Sequence, residues 1–392
     1  MNPIKSCDVL VCGGGFAGIS AALAAARKGA KTVLLERQFI LGGLGTAGIV
    51  TIYLPLCDGK GRQVSFGIAE ELLRLSISMG WEARYPKNWL ESDDPAERTE
   101  KDPRFLVQYN PQLFALLAEE LLLKEGVEIL YGTYAVDTVT EGDKITAVVT
   151  ESKSGRQAIG CKSVVDATGD CDIAWFSKAP TATFGPGNVL AGWYYSLNGA
   201  DYRLNLLGAA DILDDGEVAD PKKGQLTRRR FTGLDRDEIS EMTCLSHRHT
   251  LNDIRKKRAE GDDRVPVTMT TIPQLRMTRR IVGEYTLDIK EEHKYFEDSV
   301  GLIGDWTKRG PVYEVPFRTL YSAKMKNLIT AGRIISVTDP MWNVSRVIPC
   351  CAVTGQAAGT AAATCNDFTT LDVGALQAEL MKDGVVLHEK YL

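Results

Sequence analysis

The stretch DVLVCGGGFAGISAALAAARKGAKTVLLER, residues 8–37, determines which fold we expect for this chain. A short apolar run at 8–12 predicts a β-strand, the alanine-rich run at 16–28 predicts a helix, and the run at 31–35 predicts a second strand. Strand, helix and strand in this order form one βαβ unit, in which the two strands are parallel. The stretch therefore predicts an α/β fold with a doubly wound, Rossmann-like domain.

The glycines at 13–18 match the pattern GxGxxG, and they follow a strand and open a helix, as this motif requires. Gly13 permits the tight turn, Gly15 lets the backbone approach a pyrophosphate, and Gly18 lets helix and strand pack closely. The helix N-terminus offers free N–H groups and partial positive charge to phosphates. Glu36 ends the second strand at about the spacing of an acid that binds ribose hydroxyls. Together these features predict a dinucleotide site that favours a free 2′-hydroxyl.

The rest of the chain carries further recognisable patterns. The pattern predicts a glycine-rich loop at 41–67 and helices at 68–80 and 111–124. It predicts an antiparallel meander at 127–152 and a buried strand at 164–170. Residues 180–310 are richer in charged and aromatic side chains, and the apolar, glycine-rich pattern returns from Asn327. We therefore expect a discontinuous nucleotide-binding domain at 1–179 and 311–392, with a mixed α+β substrate domain inserted at 180–310.

Composition narrows the classes of partner. The chain has 392 residues and a net charge of −5, which gives no general reason to expect a nucleic-acid or anionic-membrane partner. Basic clusters at 228–230 and 255–258 are typical of solvated polar faces. Outside the fingerprint region, no segment is apolar for the ~18–20 residues that a membrane-spanning helix needs. We therefore expect a soluble protein without a membrane partner.

The cysteines and histidines exclude several kinds of site. None of the nine cysteines forms a CxxC pair, so neither a zinc ribbon nor a thioredoxin-like redox pair is predicted. Free cysteines in apolar runs suit a reducing compartment, and the location that we expect is the cytoplasm. His247 and His249 have HxH spacing, but no supporting cluster of ligand residues accompanies them. We expect no metal site.

Several segments resemble flavoproteins of the glutathione reductase type, and more closely the branch of succinate dehydrogenase, fumarate reductase and L-aspartate oxidase. Glu36-Arg37 is followed by a Gly-Gly loop, and later segments are similar to the superfamily's Ala-Thr-Gly turn, its strand with Gly-Arg, and its C-terminal helix. These later segments are VVDATGD at 164–170, RRIVGEY at 279–285, NLITAGR at 327–333 and the stretch from Arg346 to Gly359. The resemblance covers most of the chain and is weakest at about 180–265.

The resemblance implies that the dinucleotide is FAD. Relatives that attach their flavin covalently carry a histidine near the Gly-Gly loop, and residues 38–56 contain none, so we expect non-covalent FAD. The C-terminal helix would direct its N-terminus at the flavin pyrimidine, where positive charge stabilises the reduced ring. The cofactor-binding residues that we expect are Gly13, Gly15, Phe16, Ala17, Gly18, Glu36, Arg37, Gly42, Gly43, Thr46, Ala135, Ala167, Thr168, Gly169, Gly332, Arg333, Gln356 and Ala357.

Candidate catalytic residues follow from flavin chemistry, which needs the substrate held against the ring and a group that exchanges a proton. A guanidinium can clamp a carboxylate at two points, or act as a cationic acid in relatives that reduce fumarate. Arg346, close to the flavin-facing helix, and Arg318 are therefore candidates. His247 is the third, since histidine titrates near neutral pH.

The function that we expect is that of an FAD-dependent oxidoreductase, which exchanges hydride between FAD and a small organic substrate. Two alternatives stay open at this point: a binding protein on the same fold, as in Rab GDP-dissociation inhibitor, and an FAD-dependent RNA-modifying enzyme. The sequence does not identify the substrate, the electron donor or acceptor, or the choice between oxidase, dehydrogenase and reductase. A homo-oligomer would be common for such a chain.

Overall fold

The structure, a computed structural model, describes residues 3–82, 84–92, 94, 98, 106–208 and 226–392. Its contacts divide the chain into two compact units. The larger unit comprises Met1–Thr46, Thr51–Ala182 and Arg280–Leu392, and the smaller comprises Ala47–Val50 and Thr183–Arg279. The smaller unit is thus an insertion into the larger. Residues 280–310, which the sequence assigns to the inserted domain, group with the larger unit in this division.

The strands in chain order are β1 Lys5–Cys12, β2 Thr32–Leu35, β3 Ile52–Tyr53, β4 Val107–Gln108, β5 Glu128–Leu130, β6 Tyr134–Glu141, β7 Lys144–Ser152, β8 Gly155–Asp166, β9 Thr181–Thr183, β10 Tyr194–Asn198, β11 Asp201–Asn205, β12 Val265–Met269, β13 Arg279–Ile281, β14 Ser299–Gly304, β15 Val312–Pro316 and β16 Leu328–Thr330. The helices are α1 Phe16–Arg27, α2 Ile68–Ser76, α3 Lys87–Leu90, α4 Pro111–Lys124, α5 Asp172–Phe176, α6 Arg236–Ala259, α7 Asp339–Ser345, α8 Ile348–Thr364 and α9 Val373–Lys382.

The larger unit is built on a seven-stranded sheet with the order β5-β2-β1-β8-β7-β6, in which β16 also pairs with β8. Strands β5, β2, β1, β8 and β16 are parallel, whereas β6, β7 and β8 form an antiparallel meander. The central strands are apolar and buried on both faces, as parallel strands covered by helices require. The doubly wound, Rossmann-like prediction is confirmed.

The parallel strands bring their carboxyl ends to one edge of this sheet. Cys12 lies opposite both Leu35 and Asp166, and Asp166 lies opposite Thr330. The residues that follow these strands therefore meet at the same edge, where ligands of open α/β sheets bind. They include the glycines of the fingerprint and Glu36.

Helices α1 and α8 pack together through small residues. A Cβ added to Gly355 would overlap the Ala17 carbonyl oxygen, and one added to Gly359 would overlap the Ala21 carbonyl oxygen. Because these glycines are four residues apart, they lie on one face of α8. The two backbones therefore approach more closely than side chains would allow, and the N-terminal turn of α8 is held against α1.

Hairpin β14–β15 supports α8 from another side. Gly301 in β14 packs on Val353, whose Cγ1 would lie 2.6 Å from a Cβ at that glycine. Beyond the strand, the Trp306 indole donates to the Asn343 carbonyl at 2.8 Å. Because β14 packs along α8 in this way, residues 280–310 belong with the larger unit.

The smaller unit contains a three-stranded antiparallel sheet with the order β11-β10-β12, and the long helix α6. Asp235 caps this helix by accepting from the N–H groups of Asp237 and Glu238. A cluster of Leu190, Phe231, Met242 and Leu275 forms the buried core beside it. The prediction of an inserted mixed α+β domain is confirmed. Within the described residues of the whole chain, no helix combines the length and apolar character needed to cross a bilayer.

Candidate functional site

The glycine-rich loop between β1 and α1 has almost no room for side chains. Gly13 has φ +108°, and a Cβ there would overlap the Ala167 carbonyl oxygen. A Cβ on Gly18 would overlap the Gly13 carbonyl oxygen. Gly15 differs, because a Cβ there would meet nothing within 4 Å. The space above Gly15 is therefore an open cradle bounded by backbone, which a ligand can fill.

The first turn of α1 adjoins this cradle. The first N–H groups of a helix have no intrahelical partner, and α1 has no acidic residue in its first turn. The turn thus offers Phe16, Ala17 and Gly18 amides to an anion. The Phe16 side chain is buried elsewhere, since its ring stacks on Phe114 with centroids 4.5 Å apart. Phe16 therefore contributes its backbone to the site and its ring to the core.

Glu36 connects the end of β2 to the glycine loop. Its Oε2 accepts the Gly14 N–H at 2.8 Å and its Oε1 accepts the Gln38 N–H at 2.7 Å. Burial raises the pKa of this carboxyl. A carboxylate has about four acceptor positions, so roughly two stay available for hydroxyl donors. Its neighbour Arg37 is exposed.

The second glycine loop lies against the first. Gly42 donates to the Gly14 carbonyl at 2.8 Å and pairs with Gly15 as an isolated bridge. Thr46 closes the loop by donating its hydroxyl to the Leu41 carbonyl, and a Cβ on Gly42 would overlap the Thr46 side chain. Gly43, with φ +55°, follows directly. The sequence-predicted residues Gly42, Gly43 and Thr46 therefore form one tight turn beside the cradle.

The Ala-Thr-Gly turn after β8 is organised by Asp166. Its Oδ1 accepts the Thr168 hydroxyl at 2.7 Å, and its Oδ2 accepts the Ala174 N–H at 3.1 Å. Asp166 is fully buried, and desolvation raises the pKa of its carboxyl. The Ala167 N–H donates to the Cys12 carbonyl at 2.9 Å. The turn is thus held directly beside the fingerprint loop.

Gly332 and Arg333 complete this edge. Gly332 has φ +83° and donates its N–H to the Thr354 hydroxyl at 2.9 Å. The Arg333 guanidinium lies over Gly169, with its Cζ 2.6 Å from the position of a Cβ on that glycine. Arg333 Nη2 donates to Asp170 Oδ1 at 3.0 Å, whereas its buried Nε has no partner among the described residues. A ligand oxygen in this space would satisfy that donor.

Helix α8 begins close to the same edge. Just before it, Arg346 donates to Asn343 Oδ1 at 2.8 and 3.2 Å and lies over the Trp306 ring. Burial raises the pKa of Cys351 in the first turn to about 11, against the lowering effect of Arg333 and Arg346. Cys351 is therefore a thiol rather than a thiolate at neutral pH, and not an activated nucleophile.

Further along α8, the predicted residues face the protein interior. Gln356 is buried, and its Oε1 accepts the Ile68 N–H at 2.8 Å at the start of α2. Ala357 is also fully buried. The Gln356 side chain therefore satisfies an orphan amide of another helix. Gln356 and Ala357 would therefore support a ligand by holding α8 in place.

Three further predicted residues, Arg318, His247 and Ala135, have other surroundings. Arg318 is exposed, and Asp298 takes two of its nitrogens at 2.9 and 3.2 Å. His247 is on the exposed side of α6 in the smaller unit. Ala135, on β6, is half-buried and packs against the core cluster of the sheet. The strand that carries Ala135 begins beside Glu36, since the Thr133 N–H donates to the Glu36 carbonyl at 3.1 Å, and Ala135 and Arg318 stay predicted site residues.

Asp170 lies at this edge and was not among the sequence-predicted ligands, whereas the segment of Arg280 was singled out by the resemblance. Asp170 pairs with Arg333, and Arg280 lies with its guanidinium 5.5 Å from the centroid of the Trp342 ring. Both occur in segments that carried the resemblance, but pairing between distant segments is visible only in the fold. In the described part of the chain, no group of three or more histidine, cysteine or acidic side chains is arranged to hold a metal ion.

Comparisons with known proteins agree with this geometry. The family model described as FAD dependent oxidoreductase matches residues 8–188 and 228–380. Glutathione reductase of Schizosaccharomyces pombe is 27% identical over 216 residues, which cover 54% of this chain and 41% of that protein. Thiamine thiazole synthase of Methanococcus vannielii is 31% identical over 177 residues, which cover 41% of this chain and 56% of that protein. The chain thus spans about half the length of these two relatives.

Among solved structures, a geranylgeranyl bacteriochlorophyll reductase-like protein of Thermoplasma acidophilum aligns with a TM-score of 0.46 at 14% identity. The alignment covers 97% of this chain and 82% of that one. The family match carries the assignment, because its two segments include both glycine loops, Glu36, the Ala-Thr-Gly turn and α8. The residues present also suit the cofactor, with an open backbone cradle, a buried acid and an unpartnered guanidinium nitrogen. The chain belongs to the FAD dependent oxidoreductase family.

Proposed function

We propose that this protein oxidises or reduces a small organic molecule by hydride exchange with non-covalently bound FAD. The observation that carries the proposal is the arrangement around Gly15. An open cradle, the first turn of α1 and the Glu36 carboxylate meet at one edge of the sheet. When bound, FAD supplies a ring that accepts or donates hydride, and the protein supplies binding, orientation and electrostatics.

In this proposal each part of the edge has a separate task. The amides of Phe16, Ala17 and Gly18 would bind the diphosphate, and the Glu36 carboxylate would accept hydrogen bonds from the ribose hydroxyls. The second glycine loop would bound the cradle and exclude water from it. The N-terminal turn of α8 would direct its positive end toward the flavin and stabilise negative charge in the reduced state.

The substrate side is proposed from charge. Arg346 precedes the N-terminal turn of α8, and its guanidinium is positioned by Asn343 and Trp306. A guanidinium in such a place suits a substrate carboxylate. This agrees with a position near the succinate dehydrogenase, fumarate reductase and L-aspartate oxidase branch, which we propose on the Gly-Gly loop that follows Glu36. The larger unit would hold FAD, and the inserted unit would be the substrate domain.

Arg318 is a weaker candidate than Arg346 for substrate binding, because two of its guanidinium nitrogens already donate to the Asp298 carboxylate. His247 stays a candidate acid or base of the inserted unit. Variants of Arg346 and His247 can be compared once a substrate is known. Loss of a group that binds the substrate carboxylate raises KM, whereas loss of a group that transfers a proton lowers kcat.

The test is the visible absorption spectrum of the purified protein, followed by acid precipitation. A two-band flavin spectrum with free FAD in the supernatant supports the proposal, and a screen of small acids, amines and sugars for anaerobic bleaching then identifies the substrate class. Colour that stays with the precipitate would show a covalent flavin. A colourless protein that takes up no added FAD would overturn the proposal.

A further inference from the structure

Two loops of the larger unit lie against each other and form a cationic surface. They are residues 57–63 and residues 305–311, the second being the turn between β14 and β15. The Gly310 N–H donates to the Asp58 carbonyl at 2.7 Å and joins them. Each loop carries two basic side chains and one acidic side chain. We call these two segments the cationic loops.

A basic side chain of each loop lies on the backbone of the other loop. A Cβ on Gly59 would be 3.0 Å from Arg309 Cγ and 3.4 Å from Arg309 Cα. In the opposite direction, a Cβ on Gly310 would be 2.8 Å from the Lys60 Nζ atom. Because Gly310 directly follows Arg309, the Lys60 ammonium lies close to the segment that carries the cations of the other loop.

The acid of each loop is buried and fixes the shape of its own loop. Asp58 Oδ1 accepts the Lys60 N–H at 2.8 Å. Asp305 Oδ1 accepts the N–H groups of Thr307 and Lys308 at 2.7 and 3.2 Å. Both acids are only 3% exposed. The carboxylates thus face inward, and the backbone that carries the cations is held in a defined turn.

Three of the four cations are exposed and available for a partner. Lys60, Lys308 and Arg309 are exposed, and within the described residues they form no ion pair. The fourth, Arg62, donates to Glu389 at 2.7 Å. One unpaired lysine is ordinary on a protein surface. Three unpaired cations on two touching loops, in a chain whose net charge is −5, produce a local positive potential that attracts an anionic partner.

Trp306 connects this surface to the beginning of α8. It directly precedes the exposed part of its loop, and its indole donates to the Asn343 carbonyl at 2.8 Å. The Arg346 guanidinium lies 5.4 Å from the centroid of the Trp306 ring. Helix α8 starts two residues after Arg346, at Ile348. The cationic loops are therefore separated by one layer of side chains from the helix turn that we propose to face the flavin.

Exposure of the cations indicates the kind of partner. Small molecules bind in concave, largely apolar sites, whereas exposed charges steer a charged macromolecule and set its association rate. Electron-transfer complexes are weak and have small interfaces, and tryptophan and arginine contribute strongly to such contacts. Tight binding of RNA uses more phosphate contacts than three cations supply. An acidic protein that carries electrons fits this surface best.

We propose that the cationic loops are the docking surface for an acidic one-electron carrier protein that exchanges electrons with the flavin. This rests on the proposed function, because it assumes that FAD lies at the N-terminal turn of α8. A substrate that loses a hydride and a proton supplies two electrons. Two carrier molecules are then reduced for each substrate molecule oxidised, and two protons go to water.

The test measures binding of two acidic carriers, a plant-type ferredoxin and a flavodoxin, to the flavin-loaded protein by calorimetry. The double variant Lys308→Glu/Arg309→Glu is compared with Lys153→Glu, which changes an exposed lysine between β7 and β8. We expect the double variant to raise the Kd of both carriers by about tenfold or more, because two attractive charges become repulsive. The Kd for Lys153→Glu should stay within about twofold of the wild type.

Salt and a basic carrier provide independent readouts. Carrier binding to the wild type should weaken between about 0.1 M and about 1 M salt, as the Debye length falls from ~10 to ~3 Å. Cytochrome c, a basic carrier, should not lose affinity in the double variant. Lys308→Gln/Arg309→Gln removes the charges without reversing them and should give an intermediate Kd, which keeps the test valid if the glutamate variant folds poorly.

The other outcomes are also distinct. Failure of both acidic carriers to bind the wild type at low salt, or equal Kd values for the double variant and Lys153→Glu, would overturn the proposal. So would a single-stranded RNA that loses affinity in the double variant while the carriers do not, since the surface would then bind nucleic acid. The visible flavin spectrum should be the same in all variants. A wild type without flavin would instead contradict the proposed function.

Discussion

Glu36 is buried at the end of β2, and burial raises the pKa of its carboxyl. Since a protonated carboxyl loses acceptor positions for ribose hydroxyls, we expect FAD affinity to fall on acidification, beginning above pH ~4.3, the ordinary glutamate value. The stability of the apo protein changes with pH in the opposite direction. A raised folded-state pKa means that the folded state binds more protons in this window, so the free energy of unfolding decreases as the pH rises through it. Glu36→Gln should bind FAD about tenfold more weakly and without this pH dependence. Equal pH profiles of wild type and variant in FAD titrations from pH 4 to 8 would contradict the role of Glu36.

Gly15 and Gly18 occupy the same motif but different surroundings, which gives a matched pair of variants. A Cβ at position 15 meets open space, whereas one at position 18 overlaps the Gly13 carbonyl. Gly18→Ala should lower the free energy of unfolding of the apo protein by about 1–3 kcal/mol, as overpacking does. Gly15→Ala should change it by less than about 0.5 kcal/mol and still weaken FAD binding, because the methyl group enters the cradle. Urea unfolding of both apo variants, with FAD titration beside it, checks the two effects. A strongly destabilised Gly15→Ala would show that the space above this residue is not open.

At the scale of elements, the α1–α8 contact depends on Gly355 and Gly359. We expect Gly359→Ala to destabilise the protein by about 1–3 kcal/mol and to lower its Tm, because the new methyl group would overlap the Ala21 carbonyl. Gly374 in α9 is the control, since its nearest neighbour is an Asp372 carboxylate oxygen at 3.3 Å, at the far end of a flexible side chain. Replacement of a helical glycine by alanine is otherwise mildly stabilising. If the two variants melt alike in calorimetry, close packing of α1 on α8 is not what holds these helices together.

The sequence predicted some of these elements well and others poorly, for physical reasons. The βαβ unit and helix α4 were predictable because their signals are local: an apolar strand, a glycine turn, and Asn110 as a cap that accepts from Gln112 and Leu113. Helix α6 has a local cap at Asp235 but little apolar periodicity, since only Met242, Ser246 and Thr250 of its 24 residues are buried. The site divides in the same way. The backbone loops followed from the glycine pattern, whereas the bond from Gln356 to Ile68 joins residues 288 positions apart and needs the fold.

At the scale of the whole molecule, binding of FAD should be visible as stability. A ligand that binds only the folded state at about 100 times its Kd raises the free energy of unfolding by about 2.7 kcal/mol. We expect added FAD to shift the calorimetric transition that belongs to the larger unit, because all the proposed cofactor residues lie in Met1–Thr46, Thr51–Ala182 and Arg280–Leu392. Glu36→Gln at the same FAD concentration is the control and should show a smaller shift. A wild-type transition that does not move with FAD concentration would show that the cradle does not bind it.

The proposed cofactor site also constrains when the protein can acquire its flavin during biosynthesis. Its parts come from the fingerprint near residue 13, the turn after Asp166, and the segment from Gly332 through α8, which ends at Thr364. Since β16 and α8 are translated last among these parts, a nascent chain that has already folded its first βαβ unit lacks one wall of the cradle. Domains tend to fold from the N-terminus during synthesis, so the growing chain would expose an incomplete nucleotide pocket until α8 has emerged. Flavin loading is therefore expected only after α8 has been synthesised, and cells short of flavin would accumulate apo protein rather than truncated chains.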